Sequence, residues 1–145
     1  MVSSLSMNFC PIAPGVPYEV VVVAFTSAGK GAENIRTVFF SEELEPEKSP
    51  ENFMFKQLNS TALNFTWTPL TLFEARGFPV YRVVLTEKDT NSRKKRQSNS
   101  MSITTTNSFA VFPDLKENTD YSARVGARTG STDFVDEDPI DGTNI

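Results

Sequence analysis

Apolar residues recur in this chain at intervals of two over short runs, and Pro, Gly and polar residues separate the runs. A period of two is the mark of a strand with one buried face. Leu63, Phe65 and Trp67 alternate with Asn64, Thr66 and Thr68 and stop at Pro69, which predicts a strand. Tyr81, Val83 and Leu85 alternate with Arg82, Val84 and Thr86 to predict a second, and Tyr121, Ala123, Val125 and Ala127 alternate with Ser122, Arg124 and Arg128 to predict a third. Phe53, Phe55 and Leu58 suggest a strand ahead of these. Ser102 to Thr106 and Phe109 to Phe112 add two more, the inward parity of the latter left open, and a weak last strand falls around Phe134. No segment reads as a convincing helix. About seven short strands punctuated by turns define an all-β sandwich.

The pattern also repeats. Ile12, Pro14-Gly15 and Tyr18 at the head of a strand line up with Leu115, Glu117-Asn118 and Tyr121, so that tyrosines 18 and 121 stand 103 positions apart. In each copy an aliphatic residue plugs the core, a turn follows, and the tyrosine opens the strand with its ring buried and its hydroxyl on nearby backbone. This is the tyrosine corner of Greek-key sandwiches. The same parity points Tyr18, Val20, Val22 and Ala24 inward. Val21, Val23 and Phe25 are apolar too, so this strand is either covered on both faces or carries an apolar outer patch. Between the copies, Ser41 to Pro50, with Pro46, Pro50 and a run of glutamates, reads as a polar linker with a boundary near Glu47. A length of 145 residues holds one ordinary domain and part of another. The expected division is a partial domain over residues 1–45 and a nearly complete one over residues 46–142.

Trp67-Thr68-Pro69, Gly77 followed by Tyr81-Arg82-Val83, and Leu115 with Thr119, Tyr121, Val125 and Ala127 resemble the signature of fibronectin type III domains, over about residues 48 to 140. Glu117-Asn118 stands where the family has Pro-Gly, and Asp136-Glu137-Asp138-Pro139 interrupts the final strand. The upstream copy keeps Pro14-Gly15, the Tyr18 strand and a hairpin through Ser27-Ala28-Gly29-Lys30-Gly31 to Thr37-Val38-Phe39, similar to the family's F–G hairpin; its first five strands are absent. The resemblance implies an immunoglobulin-like, seven-stranded sandwich. Trp67, Tyr81, Leu115, Tyr121 and, in the upstream copy, Tyr18 are its structural core signature. It further implies a non-catalytic spacer and protein-binding surface in the ectodomain of an extracellular adhesion protein or receptor, such as a receptor tyrosine phosphatase or kinase. Two other readings stand beside it: an intracellular structural array, and an accessory domain of a secreted enzyme.

Composition narrows the chemistry. The longest apolar run, Val20 to Phe25, is far short of the roughly 20 residues a membrane helix needs, so no membrane insertion is expected. Met1 to Cys10 has neither the basic start nor the apolar stretch of a secretory signal, which places any such label upstream. A net charge of −4 argues against a nucleic-acid partner. The expected partners are other proteins or neighbouring domains. The absence of histidine removes histidine-dependent catalysis and the common zinc ligand sets, and a lone Cys10 makes no internal disulfide. No cofactor is expected. Asp133, Asp136, Glu137, Asp138 and Asp141 lack the glycine-centred spacing of a calcium loop and read as a solvated edge. Arg76-Gly77-Phe78 reads as a turn.

Two patterns remain as candidates for modification. Asn59-Ser60-Thr61 and Asn64-Phe65-Thr66 are acceptor sequons for N-linked glycan, the first in a turn and the second with Asn64 on the outward parity. Arg93-Lys94-Lys95-Arg96 matches the Arg-x-Lys/Arg-Arg pattern of furin-type processing within a polar loop; the alternative is a solvated basic turn.

Overall fold

In the computed structural model, which describes residues 6–10, 12–33, 37–88, 99–130, 132–136 and 140–144, strands dominate and the expected alternation decides which side chains meet. Strands β5 (Glu51–Asn59), β6 (Ala62–Thr68) and β9 (Phe109–Phe112) form one antiparallel sheet in the order β5-β6-β9. The second sheet runs β8-β7-β10-β11, from β7 (Pro79–Glu87), β8 (Ser100–Thr105), β10 (Asp120–Thr129) and β11 (Val135–Asp136), and β12 (Ile140–Asn144) also pairs with β10. Both β11 and β12 pair antiparallel with β10, and residues 137–139 of the expected Asp136-Glu137-Asp138-Pro139 interruption lie outside the described residues. These sheets enclose one core, in which Leu63, Phe65, Trp67, Tyr81, Val83, Leu85, Leu115, Tyr121, Ala123, Val125 and Ala127 are all buried.

Aromatic rings knit the two layers. Phe65 stacks on Phe53 at 5.4 Å and meets the edge of Phe112 at 5.7 Å, while Trp67 lies 5.5 Å from Tyr81 across the sandwich. The open parity of Phe109–Phe112 is settled by register: Ala110 opposes Phe65 and Phe112 opposes Leu63, so these two face in and Phe109 and Val111 face out. The expected first strand is β5, in which Phe53 is buried while Phe55 and Leu58 are exposed. Phe55 opposes the buried Phe65 with its ring 6.3 Å away and so keeps the inward parity, but it stays 41% exposed because β5 ends the β5-β6-β9 order. Leu58 falls at the Gln57/Asn59 register shift, where a bulge breaks the alternation.

A one-turn helix, α1 (Leu72–Ala75), joins β6 to β7 where the hydrophobic pattern shows none. Four residues are too few to display a helical period. The turn is held by a capping box instead: the Thr71 hydroxyl accepts from Glu74 N at 3.3 Å, and the Glu74 carboxylate accepts from Thr71 N at 3.0 Å. Arg76-Gly77-Phe78 is the turn that leaves this helix, with Arg76 in the left-handed region at φ 57°.

The upstream residues form two short ladders. β1 (Pro17–Val20) pairs with β4 (Thr37–Phe40), and β2 (Val23–Thr26) with β3 (Gly29–Glu33). The alternation from Tyr18 breaks after Val20, because residues 21 and 22 lie outside the strands; Val22 and Ala24 are exposed instead of facing inward. Phe25 is 74% exposed. Of the two alternatives for this hairpin, its apolar residues lie open.

Both tyrosine corners are present with the same bond. The Tyr121 hydroxyl accepts from Lys116 N at 3.0 Å, and the Tyr18 hydroxyl accepts from Ala13 N at 2.7 Å, each five residues back along the chain. Tyr121→Phe leaves the Lys116 amide without this acceptor and should cost about 1–3 kcal/mol, read as a lower urea midpoint; an unchanged midpoint would show that the corner hydroxyl does not contribute.

Candidate functional site

The segment between the two repeats, which composition presents as a polar linker, is bonded at both ends. At its start, Ser41 Oγ donates to Ala13 O at 2.6 Å and Gly15 N donates to Glu42 O at 3.1 Å, tying it to the first tyrosine corner. It then crosses onto the sandwich. Leu44 N donates to Arg76 O at 3.2 Å, and the fully buried Thr129, at the end of β10, donates its hydroxyl to Leu44 O at 2.6 Å. Glu47 N donates to Glu74 O at 2.9 Å while the Glu47 carboxylate meets Arg76 Nη2 at 2.8 Å. Both peptide groups flanking Leu44 are thereby engaged, which is how a loop becomes a fixed part of a fold.

Two of the linker's glutamates are structural partners. Glu43 Oε1 accepts from Phe78 N at 3.2 Å, and its carboxylate lies over Gly77. Gly15, buried and at φ +63°, packs against the Arg76–Gly77 peptide so closely that a Cβ there would overlap the Gly77 backbone. Gly15, Ser41, Glu43 and Phe78 together line a cleft of about 320 Å³ where the two units meet. At the far end of the linker Lys48 bridges Glu51 at 2.9 Å and Glu74 at 2.7 Å. The Lys48 ammonium, followed by the two bonds from Thr71, holds the Glu74 carboxyl at about 2, below the ordinary carboxylate range.

The two outer faces of the sandwich differ in chemistry. On the β7–β10 face, the Arg82 and Arg128 guanidinium groups lie 4.0 and 4.9 Å from the centre of the Phe134 ring. Asp136 stands 3.8 Å from both Arg82 and Arg124, in the space that a Cβ on Gly126 would fill. Phe134 and Asp136 thus anchor β11 through arginines, a role that the acidic run alone does not reveal. On the β5–β6–β9 face, two cross-strand rows lie side by side: Met54, Thr66 and Phe109 in one, Lys56, Asn64 and Val111 in the other.

Among the sequence-derived candidates, Trp67, Tyr81, Leu115 and Tyr121 come together in the core, and the Tyr81 hydroxyl accepts from Leu70 N at 2.9 Å. Burial pushes the Tyr81 phenol above its ordinary range. Tyr18 is half-buried in its separate corner. Asn59 is the exposed last residue of β5, just before the turn at Ser60 and Thr61, its Oδ1 accepting from both Thr61 N and Thr61 Oγ1. Asn64 lies half-buried on the outer sheet face, with its Oδ1 buried and without a hydrogen-bond partner. Arg93, Lys94, Lys95 and Arg96 lie outside the described residues; the flanking strands β7 and β8 are zipped from Tyr81–Thr105 to Thr86–Ser100. No helix of the described residues is long and apolar enough to cross a membrane.

Two β-sheets closed over a Trp–Tyr core, with a tyrosine corner on β10, match the family model for the fibronectin type III domain over residues 48–141. The chain belongs to that family, and the fibronectin type III domain is a non-catalytic module. Among curated proteins it is similar to rat phosphatidylinositol phosphatase PTPRQ, 31% identical over 134 residues, or 92% of this chain and 5% of that protein. Human neural cell adhesion molecule L1 is 40% identical over 62 residues, 43% of this chain and 5% of that protein. Chicken contactin-1 is 26% identical over 114 residues, covering 79% of this chain and 11% of that protein. The chain spans a small fraction of each. The third fibronectin III domain of the human KIAA0343 protein shares the fold at a TM-score of 0.62 and 22% identity, covering 73% of this chain and 88% of that one. The FN1–FN3 domains of chicken CNTN1 do so at 0.56 and 22%, covering 92% of this chain and 44% of that one. The curated proteins it resembles thus include a phosphatidylinositol phosphatase and a neural cell adhesion molecule.

Proposed function

We propose that the chain is an extracellular segment of a longer cell-surface adhesion protein or receptor, of the receptor phosphatase or kinase type, and that it holds neighbouring modules at a set spacing while offering its outer faces to proteins. The observation that carries this reading is the bonded linker: residues 41–47 are tied to the Tyr18 corner on one side and to Arg76, Glu74 and Thr129 on the other. A spacer needs a joint that resists bending, and backbone bonds on both sides of a linker supply one. On this reading residues 6–42 are the closing part of one module, and the second begins near Glu43, a few residues before the compositional boundary.

The test is surface labelling of the whole gene product in intact animal cells, carrying an epitope tag at the chain's position. Labelling by an impermeant reagent is the expected result, and a product labelled only after lysis would reject the extracellular placement. The same protein reports on the basic run. Two associated fragments with a new Gln97 terminus, lost in Arg96→Ala, would identify a processing site; a single chain would identify a solvated turn.

A further inference from the structure

The outer face of the β5–β6–β9 sheet carries three exposed apolar side chains where a solvated sheet face is ordinarily polar. Met54, Phe109 and Val111 are 61%, 51% and 40% exposed, and all three point to the same side as Thr66 and Asn64 of the central strand. Asn64 sits between Lys56 and Val111, one row from Met54, Thr66 and Phe109. A side-chain amide is planar and two-ended. Here Oδ1 is the buried end and has no partner, which turns Nδ2 outward. Thr66, the hydroxyl residue of the sequon, is exposed on the same face two positions along the strand.

From this placement we propose that Asn64 carries an N-linked glycan whose first sugars lie over Met54, Phe109 and Val111 and cover this face. The inference rests on the extracellular reading given above. Asn64 Nδ2 would bond to the anomeric carbon of an oligosaccharide donated by a lipid diphosphate; the sugar–phosphate bond breaks, Nδ2 gives up one proton, and the lipid diphosphate leaves. The apolar face of N-acetylglucosamine suits an aromatic ring and a thioether, and its hydroxyl and acetamido groups face water. A glycan on Asn59 would do nothing comparable, because Asn59 closes β5 at the hairpin end, beyond the strand rows that carry this patch.

The experiment secretes the whole chain from an animal cell behind an added leader, maps glycan occupancy by mass spectrometry, and follows peroxide oxidation of Met54. Met101, on β8 of the opposite sheet and 39% exposed, is the internal reference. Asn64 is expected to be occupied. Asn64→Gln should raise the Met54 oxidation rate several-fold relative to Met101, and Asn59→Gln should leave that ratio unchanged. If Asn64→Gln fails to fold, Thr66→Ala and enzymatic release of the glycan from folded wild type make the same comparison. A bare Asn64 beside an occupied Asn59, or equal Met54 rates with and without the Asn64 glycan, overturns the proposal while leaving the extracellular reading intact. A bare Asn64 with Met54 protected only at high protein concentration would assign the face to a second copy of the chain and overturn it as well. A chain that reaches the medium with both sequons bare overturns the proposal, whereas exclusion of the full gene product from the cell surface counts against the extracellular reading.

Discussion

Replacing Trp67 by alanine is expected to lower the stability of the sandwich by about 3–5 kcal/mol, a large part of the roughly 5–15 kcal/mol that holds a domain of this size. The indole is almost fully buried on the central strand of its sheet, 5.5 Å from Tyr81 and 6.3 Å from Phe53. Its removal opens a cavity bounded by rings that cannot collapse into it without leaving their rotamers. Trp67→Phe is the informative control. The indole Nε1 is buried and has no hydrogen-bond partner, so phenylalanine restores much of the volume and removes an unsatisfied donor. Chemical denaturation should therefore rank wild type and Trp67→Phe close together and Trp67→Ala far below. A phenylalanine variant as unstable as the alanine one would mean that the shape of the indole, rather than its bulk, holds the core.

The second large effect is expected from dividing the chain. Residues 1–45 alone should show no cooperative melt, because β1–β4 and β2–β3 are two-stranded ladders without a covering sheet. Their apolar residues line an open groove of about 490 Å³ that includes Phe9, Ile12, Tyr18, Val20 and Val21. Residues 41–144 should melt cooperatively. A version starting at residue 48 should be weaker by roughly 1–3 kcal/mol, since it lacks the Leu44 and Glu47 bonds and strands the buried Thr129 hydroxyl. Differential scanning calorimetry of the three pieces gives the answer. Equal melting temperatures for the two longer pieces would show that the linker rests on the sandwich without supporting it.

Where the structure follows the pattern and where it departs from it has a physical logic. Trp67, Tyr81 and Tyr121 are legible because a central strand flanked on both sides keeps strict alternation, so parity alone identifies the buried face. Phe55 keeps the inward parity opposite Phe65, but β5 ends its sheet, and parity alone does not reveal that an edge residue stays partly open. The Phe109–Phe112 run carries apolar residues in both parities, and only its register against Phe65 decides between them. Helix α1 is absent from any periodicity, but its signal was present: Thr71-x-x-Glu74 is a capping box on the page of the sequence. The docking of the linker had no such local mark. It depends on a threonine 85 positions away and on backbone carbonyls, which every residue possesses and no composition reveals. Within the modification candidates, the sequon at Asn64 was readable as a pattern, whereas the apolar rows around it emerge only once three strands are laid side by side.

The bonded linker also alters how such an array responds to being pulled. Tension applied along the chain does not reach the first residue of β5 directly; it is intercepted at Leu44 and Glu47, whose bonds to Arg76, Thr129 and Glu74 stand between the load and the sandwich. Those bonds are fewer than the ladder of β6 against β5 and β9, so they are expected to yield first. Their release frees residues 43–48 to extend to a span of at most roughly 20 Å, at about 3.3–3.6 Å per residue, with the Trp67 core still closed. The gain in length is smaller than that span, because the segment already crosses the sandwich. Each joint of this kind is then a short reversible tether, which takes up slack under load and re-forms when the load is removed.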